Sequence, residues 1–396
     1  AVAEDADVVL AVGTRLQDFT TGSWSVFKNP NLRIVAINTA SWDAHKQMSV
    51  PVIADAKVAI EARDSAIGEY RAPDEWLDFS QTRIAEWHDY LDSWKGKEHD
   101  GPPAYAEVIQ VINDICDDDD YCLSAAGGLP GELVMGWRSK SVNSFDSEYG
   151  YSTMGYEIAG AWGARMARNG DVICWVGDGS YLMMNSDIYS TVMTGHKVIF
   201  MVCDNGGFAV INRLQVNQGG EEFNNLLHTA RHERMFRVDF AKHAEAMGAI
   251  SEKVTTIDEF KSAFERAKAA DRSYVIVIEV AQYDWTEGGA WWEVGIPEVS
   301  DREQVRVARA ELEAKARKYA QEISADMSYA TIRLLDRLLR WVWHRIYDGI
   351  EVTGDRVTEC GQPGRRPVGD MADLVTVAPH LARAVLAVQV FREQMD

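Results

Sequence analysis

The sequence is poor in positive charge for its length. Forty lysines and arginines face 61 aspartates and glutamates over 396 residues, a formal net charge of −21. That balance excludes a nucleic-acid binder, which needs a basic surface to displace phosphate counterions. It excludes a polybasic membrane anchor as well. No apolar run reaches the roughly 18 residues of a membrane-spanning helix. The opening Ala1-Val2-Ala3-Glu4-Asp5 has neither the basic nor the apolar stretch of a signal peptide. Cysteine pairs are missing too: Cys116, Cys122, Cys174, Cys203 and Cys360 are odd in number and form no CxxC. They read as reduced thiols in a cytoplasmic protein, not as a disulfide framework or zinc site. No internal repeat is visible, and no G-x-G-x-x-G follows Gly13-Thr14. Lysine vanishes after position 326: all 13 lie before it, while the tail balances nine arginines against nine acids.

What remains is a mixed-class chain long enough for two or three domains, with 46% apolar residues to fill their cores. Apolar runs at residues 7–12, 32–37 and 51–53 predict three strands of a parallel sheet, few for a free-standing α/β unit, so half a domain and an N-terminal truncation are expected. A tryptophan-rich helical connector is expected over 72–94, then a polar break over 95–103. Strands are expected at 121–124, 171–176, 197–203 and 274–280, and helices around 105–115, 155–167, 182–193 and 236–247. Strand–helix alternation with nearly continuous apolar strands predicts a doubly wound parallel sheet buried on both faces. The expected domains are 1–70, 71–103, 104–320 and a tail from 321 to 396. In the tail, Ile332, Leu335, Leu338, Leu339, Val342, Trp343 and Ile346 outline one apolar helical face, and 361–369 reads as loop.

Two polar turns carry the chemistry. Val176-Gly177-Asp178-Gly179-Ser180 and Cys203-Asp204-Asn205-Gly206-Gly207 each end an apolar strand, with Asn205 27 residues after Asp178. In an open α/β sheet such turns lie at the carboxyl edge, where ligands bind. Gly177 and Gly179 let the backbone approach a bulky anion. Ser180 stands at an expected helix N-terminus, which favours phosphate. Asp178 and Asn205 offer one charged and one neutral hard oxygen, a set suited to Mg²⁺ shared with phosphate oxygens. Gly-Asp-Gly alone is also an ordinary strand-to-helix turn; the second turn at this spacing is what singles it out.

The pair resembles the motif of thiamine-diphosphate enzymes, with Asp204-Asn205 in place of the usual Asn-Asn. The resemblance implies that Asp178, Asn205 and the Gly207 carbonyl hold Mg²⁺, with Gly177, Gly179, Ser180 and Gly206 around the diphosphate. The segment 149–160 resembles the one that precedes this motif in acetolactate-synthase-like members. It implies that Met154 wedges the cofactor into its bent shape and that the Ser152 carbonyl accepts the aminopyrimidine N–H. Closer still, Ser124 to Leu133, Glu148 to Gly160, Asp204 to Phe208, Trp291-Trp292-Glu293-Val294 and the charged helix 303–318 resemble the trihydroxycyclohexane-dione hydrolases of inositol catabolism. Ala11-Val12-Gly13-Thr14-Arg15 and Ile37-Asn38-Thr39 resemble the second half of their Rossmann-like middle domain. The likeness covers about 1–320.

It implies hydrolytic ring opening of a cyclic 1,2-diketone to 5-deoxyglucuronate by an enzyme that is a homo-oligomer, dimer or tetramer, when intact. The resemblance places the glutamate that activates the cofactor on an N-terminal pyrimidine-binding domain, so no catalytic acid is assigned in this chain, and the chain alone is expected to bind diphosphate weakly and not to turn over. Glu157 is expected to face solvent or a helix partner. His228 and His232, four residues apart, read as a polar surface helix without a third metal ligand. Two alternatives stay open: an acetolactate-synthase-like lyase or ligase for another 2-keto substrate, and a non-catalytic cofactor-binding subunit. The tail faintly resembles the start of a lysophospholipid acyltransferase but lacks its His-x4-Asp, so it reads as a fusion or read-through.

Overall fold

The computed structural model describes residues 2–97, 100–288, 294–325, 350–353 and 356–359. The chain divides into two units, 1–309 and 310–396. The expected tail helix, the loop at 361–369 and Trp291-Trp292-Glu293 lie outside the described residues.

The first unit opens with three parallel strands in the order β1 (Val8–Val12), β2 (Arg33–Asn38), β3 (Val50–Ile53). Alternation decides their faces: Ala11 on β1 and Ile34 and Ala36 on β2 pack into a small core with Leu16 and Ala44, whereas Val8, Leu10 and Val12 are exposed. Helix α1 (Ala56–Ile67) starts where the Asp55 carboxylate accepts the N–H groups of Lys57 and Val58. The connector is a helix, α2 (Asp74–Asp92), tied to the next domain by the Trp87 indole N–H on the Met135 carbonyl at 3.0 Å.

The second sheet has six parallel strands in the order β5-β4-β6-β7-β9-β8: β4 (Tyr121–Ser124), β5 (Phe145–Ser147), β6 (Val172–Gly177), β7 (Ile199–Asp204), β8 (Ile250–Val254) and β9 (Tyr274–Glu279). Period-two alternation splits each central strand between two cores. Ile173, Trp175, Ile199, Met201, Ile276 and Ile278 face one; Val172, Cys174, Val176, Phe200, Val202 and Val277 face the other. Helices α3 (Tyr105–Ile115), α4 (Gly128–Gly136) and α10 (Ile257–Ala269) cover the first face. Helices α5 (Tyr156–Ala167), α6 (Asp178–Met184), α7 (Ser186–Thr194) and α9 (Phe240–Ala246) cover the second. This is the doubly wound sheet that the strand pattern predicts. The chain leaves β4 toward β5 on one side and β6 toward β7 on the other, so the direction of winding switches between β4 and β6. Ligands of open α/β sheets bind at such a switch, outside the carboxyl ends of the strands.

Some local expectations differ. The helix expected over 182–193 is two, α6 and α7, with Asn185 between them. That over 236–247 is only Phe240–Ala246, because the Asp239 carboxylate accepts the Lys242 N–H and starts the helix there. Strands β5 and β8 sit at the two sheet edges; β5 is three residues long and β8 carries Ser251, Glu252 and Lys253, so neither makes an apolar run. Helix α8 (Ala209–Asn217) follows the second polar turn. A further helix runs over Glu303–Ala325, and β10 (Ile350–Thr353) pairs antiparallel with β11 (Arg356–Glu359). Among the described residues no helix is long and apolar enough to cross a membrane. The four described cysteines are free and buried; Cys360 lies outside the described residues.

Candidate functional site

Both polar turns open at the carboxyl ends of adjacent parallel strands, since Gly177 of β6 is in register with Cys203 of β7. Helix α6 begins at Asp178, directly after the strand, and Ser180 lies buried in its first turn. A Cβ at Gly177 would meet nothing within 4 Å, so the backbone there borders open space. At Gly179 a Cβ would meet the Phe208 ring at 2.8 Å and the Met154 Cε at 3.3 Å. Gly179 is therefore the floor on which Met154 and Phe208 rest, two apolar groups from segments 54 residues apart.

The Asp178 carboxylate is buried and accepts N–H groups of Gly179 and Gly207, which joins the first turn to the second. Burial, and next the charge of Asp204, push its pKa up to about 7 despite those hydrogen bonds. The second turn is held from both sides. The Asp204 carboxylate accepts the Gly206 N–H at 2.9 Å, while Phe208 N–H donates to the Asn225 carbonyl at 2.7 Å and Leu227 N–H to the Gly206 carbonyl at 2.8 Å. Gly207 has φ +141°, and a Cβ there would lie 2.5 Å from the Asn225 oxygen, so only glycine fits. The Asn205 side chain donates to the Tyr105 hydroxyl at 2.7 Å; its own oxygen, Oδ1, is buried and has no hydrogen-bond partner.

The 148–155 segment forms a tight turn before α5. Ser152 is left-handed, φ +54°, and is bracketed by the Glu148 carboxylate, which accepts the N–H groups of Tyr151 at 2.7 Å and Thr153 at 2.8 Å. These hydrogen bonds, that from Thr153 foremost, hold the Glu148 carboxyl below the usual range. The bracket fixes the orientation of the Ser152 peptide. Glu157 corrects half of an expectation, the solvent-facing one, and meets the other half, a helix partner, in Ser180 of α6. It does not face solvent: it is 1% exposed, accepts the Gly155 N–H at 2.9 Å and hydrogen bonds to Ser180. Burial pushes its pKa up to about 7. It thus ties the Met154 segment to the Gly-Asp-Gly turn. His228 and His232 correct another, because residues 218–239 contain no helix. His228 meets the Tyr283 hydroxyl at 3.2 Å and His232 the Leu227 carbonyl at 2.7 Å.

Sequence reasoning missed the supports of the site. Gln282 donates to the Asn205 carbonyl at 2.5 Å, and Thr286 binds buried Glu132 of α4 at 3.0 Å through its hydroxyl. Trp285 packs against Tyr105 with ring centroids 5.6 Å apart, tilted at 51°, and fills the space that a Cβ on Gly128 would take. The loop 282–286 so braces both the second turn and the start of α4. These partners are 77 to 180 residues apart in the chain, and no local pattern marks them.

The donor set fits a divalent cation. Among the described residues no cluster of three His, Cys, Asp or Glu could hold a metal by itself. What the two turns offer is one buried carboxylate, one buried amide oxygen without a partner, and the backbone carbonyl of a glycine that no other residue could replace, an incomplete shell that phosphate oxygens would complete. An orphaned buried acceptor costs roughly 1–3 kcal/mol unless something occupies it.

Residues 127–278 match the family described as thiamine pyrophosphate enzyme, C-terminal TPP binding domain. Residues 1–62 match the thiamine pyrophosphate enzyme central domain. The chain is similar to proteins named 3D-(3,5/4)-trihydroxycyclohexane-1,2-dione hydrolase. That of Halalkalibacterium halodurans is 35% identical over 334 residues, 77% of this chain and 52% of the relative. That of Clostridium tetani is 33% identical over 354 residues, 81% of this chain and 55% of the relative. That of Geobacillus thermodenitrificans is 35% identical over 336 residues, 78% and 52%. The chain spans about half the length of the curated relatives it matches.

Proposed function

The chain carries the central and the C-terminal TPP-binding domains of the thiamine pyrophosphate enzymes, and from that premise we propose that it is the cofactor-holding part of a 3D-(3,5/4)-trihydroxycyclohexane-1,2-dione hydrolase. The activity is the water-dependent cleavage of a C–C bond in the cyclic diketone, giving 5-deoxy-D-glucuronate in the degradation of myo-inositol. The names of the relatives support this substrate; the domain matches support the cofactor. The turnover proposed is that of the full-length arrangement, as a cytoplasmic homo-oligomer, a dimer or tetramer. The division of the chain at about 70, 103 and 320 belongs to the same proposal.

Asp178, the Asn205 side-chain oxygen and the Gly207 carbonyl would hold Mg²⁺, which neutralises the diphosphate. Gly177, Gly179 and Gly206 keep side chains out of the anion's way, and Ser180 stands at the start of α6. Met154, seated on Gly179, forms an apolar wedge. The Ser152 carbonyl, oriented by Glu148, accepts an N–H of the aminopyrimidine. When bound, thiamine diphosphate supplies a nucleophilic carbon that adds to a carbonyl and then stores the electron pair of the broken bond. The protein's share is to bind and orient: two rigid turns fix the charged end, and the 148–157 segment fixes the ring end.

One observation carries this reading: Asp178 joins the two turns through the Gly207 N–H beside a buried amide oxygen that has no partner. Calorimetric titration of thiamine diphosphate into the chain, with and without Mg²⁺, tests it. Binding should require Mg²⁺ and be lost in Asp178→Ala. Binding that ignores both the cation and the substitution would refute it.

A further inference from the structure

We propose that Tyr105 is a positioning residue for the cation, its hydroxyl fixing the Asn205 amide so that the amide oxygen, not the NH₂, faces the metal. The inference rests on the reading of Asn205 as a cation ligand.

An asparagine amide has a donor end and an acceptor end of nearly equal size. As a ligand it works only with the oxygen forward, because the NH₂ end repels a cation. Turning the oxygen toward the cation turns the NH₂ the other way, into the protein, where it needs an acceptor. Tyr105 supplies it: Asn205 Nδ2 donates to the phenolic oxygen at 2.7 Å, with Tyr105 2% and Asn205 7% exposed. No water can replace a partner so deeply covered without a cavity to hold it. The other end of the amide, Oδ1, is the buried oxygen without a partner. The side chain is therefore already set with its donor satisfied and its acceptor open.

Tyr105 is itself firmly held. It is the first residue of α3, and its ring packs against Trp285 at 5.6 Å, which in turn lies under the Arg213 guanidinium at 5.0 Å and against Gly128. The backbone of Asn205 is fixed separately, by Gln282 on its carbonyl. Backbone and side chain of the ligand are thus positioned by two different groups, and the hydroxyl of Tyr105 governs only the side chain. The arrangement has the logic of outer partners that orient metal ligands elsewhere.

Tyr105→Phe removes the hydroxyl and keeps the ring packing. The test is the Mg²⁺ affinity of the full chain, measured by calorimetry at one fixed concentration of thiamine diphosphate, for wild type, Tyr105→Phe, Asn205→Ala and the double variant. In the Asn205 background, Tyr105→Phe should weaken Mg²⁺ about 10-fold, since binding would then strand a buried NH₂. In the Asn205→Ala background the same change should leave the remaining affinity unaltered, because no amide is left for the hydroxyl to orient. Equal affinities for wild type and Tyr105→Phe would overturn the role of Tyr105 and leave the site reading standing. An equal loss in both backgrounds would also overturn it, by showing that the hydroxyl acts through packing. Absence of Mg²⁺-dependent binding in wild type would overturn the site reading, and this inference with it.

Discussion

Glu157 shows how much one buried side chain can report. Its carboxyl, pushed up to about 7 by burial, is protonated in the folded protein at pH values where an unfolded chain would ionise it. A folded pKa above the unfolded value means stability that is full below about 4.5 and is lost as pH rises through about 7. Glu157→Gln keeps an oxygen for the Gly155 N–H and removes the proton that must be held. Its thermal midpoint should therefore fall less between pH 5 and pH 8 than that of wild type, with a gain at pH 8 on the order of a few kcal/mol. Calorimetric melting at the two pH values checks this, and parallel pH profiles would show that Glu157 does not hold its proton. At the same scale, Ser152 adopts a left-handed conformation that a serine takes at some cost, and Glu148 offsets it with two backbone hydrogen bonds.

Among the elements, α10 has the most complete start. The Thr256 hydroxyl accepts the Glu259 N–H, and the Glu259 carboxylate reaches back to the Thr256 N–H, a reciprocal cap. Its inner face sends Phe260, Ala263, Phe264 and Ala267 into the core under β6, β7 and β9. Thr256→Ala should cost about 1 kcal/mol of stability in urea unfolding and leave thiamine diphosphate affinity unchanged, because the cap is not among the contacts of either polar turn. A parallel loss of cofactor affinity would show that α10 reaches the site after all. The two glycine turns differ in their support. The first is continuous with β6 and α6, whereas the second is pinned by the 225–227 segment and the 282–286 loop.

At the scale of the first unit, the stretch that follows β1 touches residues 149 and 150 directly. The Phe19 ring stacks on Tyr149 at 4.8 Å, and the Arg15 guanidinium donates to the Gly150 carbonyl at 3.3 Å. Both contacts fall just before Ser152 and Met154. The central domain is thus a brace for the turn that presents the Ser152 carbonyl. Combined Arg15→Ala and Phe19→Ala should speed amide hydrogen exchange over 149–153 while leaving protection of β6 and β7 as it is, measured by mass spectrometry of deuterated peptides. Faster exchange throughout the large sheet would instead mean that the brace stabilises the whole unit.

How much of this could be read beforehand depends on whether the signal is local. Apolar runs broken by glycine located every central strand of the large sheet to within two residues, because a strand buried on both faces has to be apolar along its length. The edge strands β5 and β8 were not legible, since an edge needs no such run. The two polar turns and their spacing lay in the sequence as well, for a turn whose backbone leaves no room for a Cβ shows its glycines directly. Charge, the scarcity of lysine in the tail and the unpaired cysteines were equally plain. What the tertiary structure alone decided is the environment of each group. Glu157 became a buried tie because α5 and α6 close over it. His228 and His232 left the helix their spacing suggested because the chain from 218 to 239 is spent pinning the second turn. Tyr105 came to Asn205 from 100 residues away because α3 packs across the sheet at that edge. Local sequence sets which atoms a turn can offer; burial and the partners brought by distant segments set which of those atoms are left free to bind.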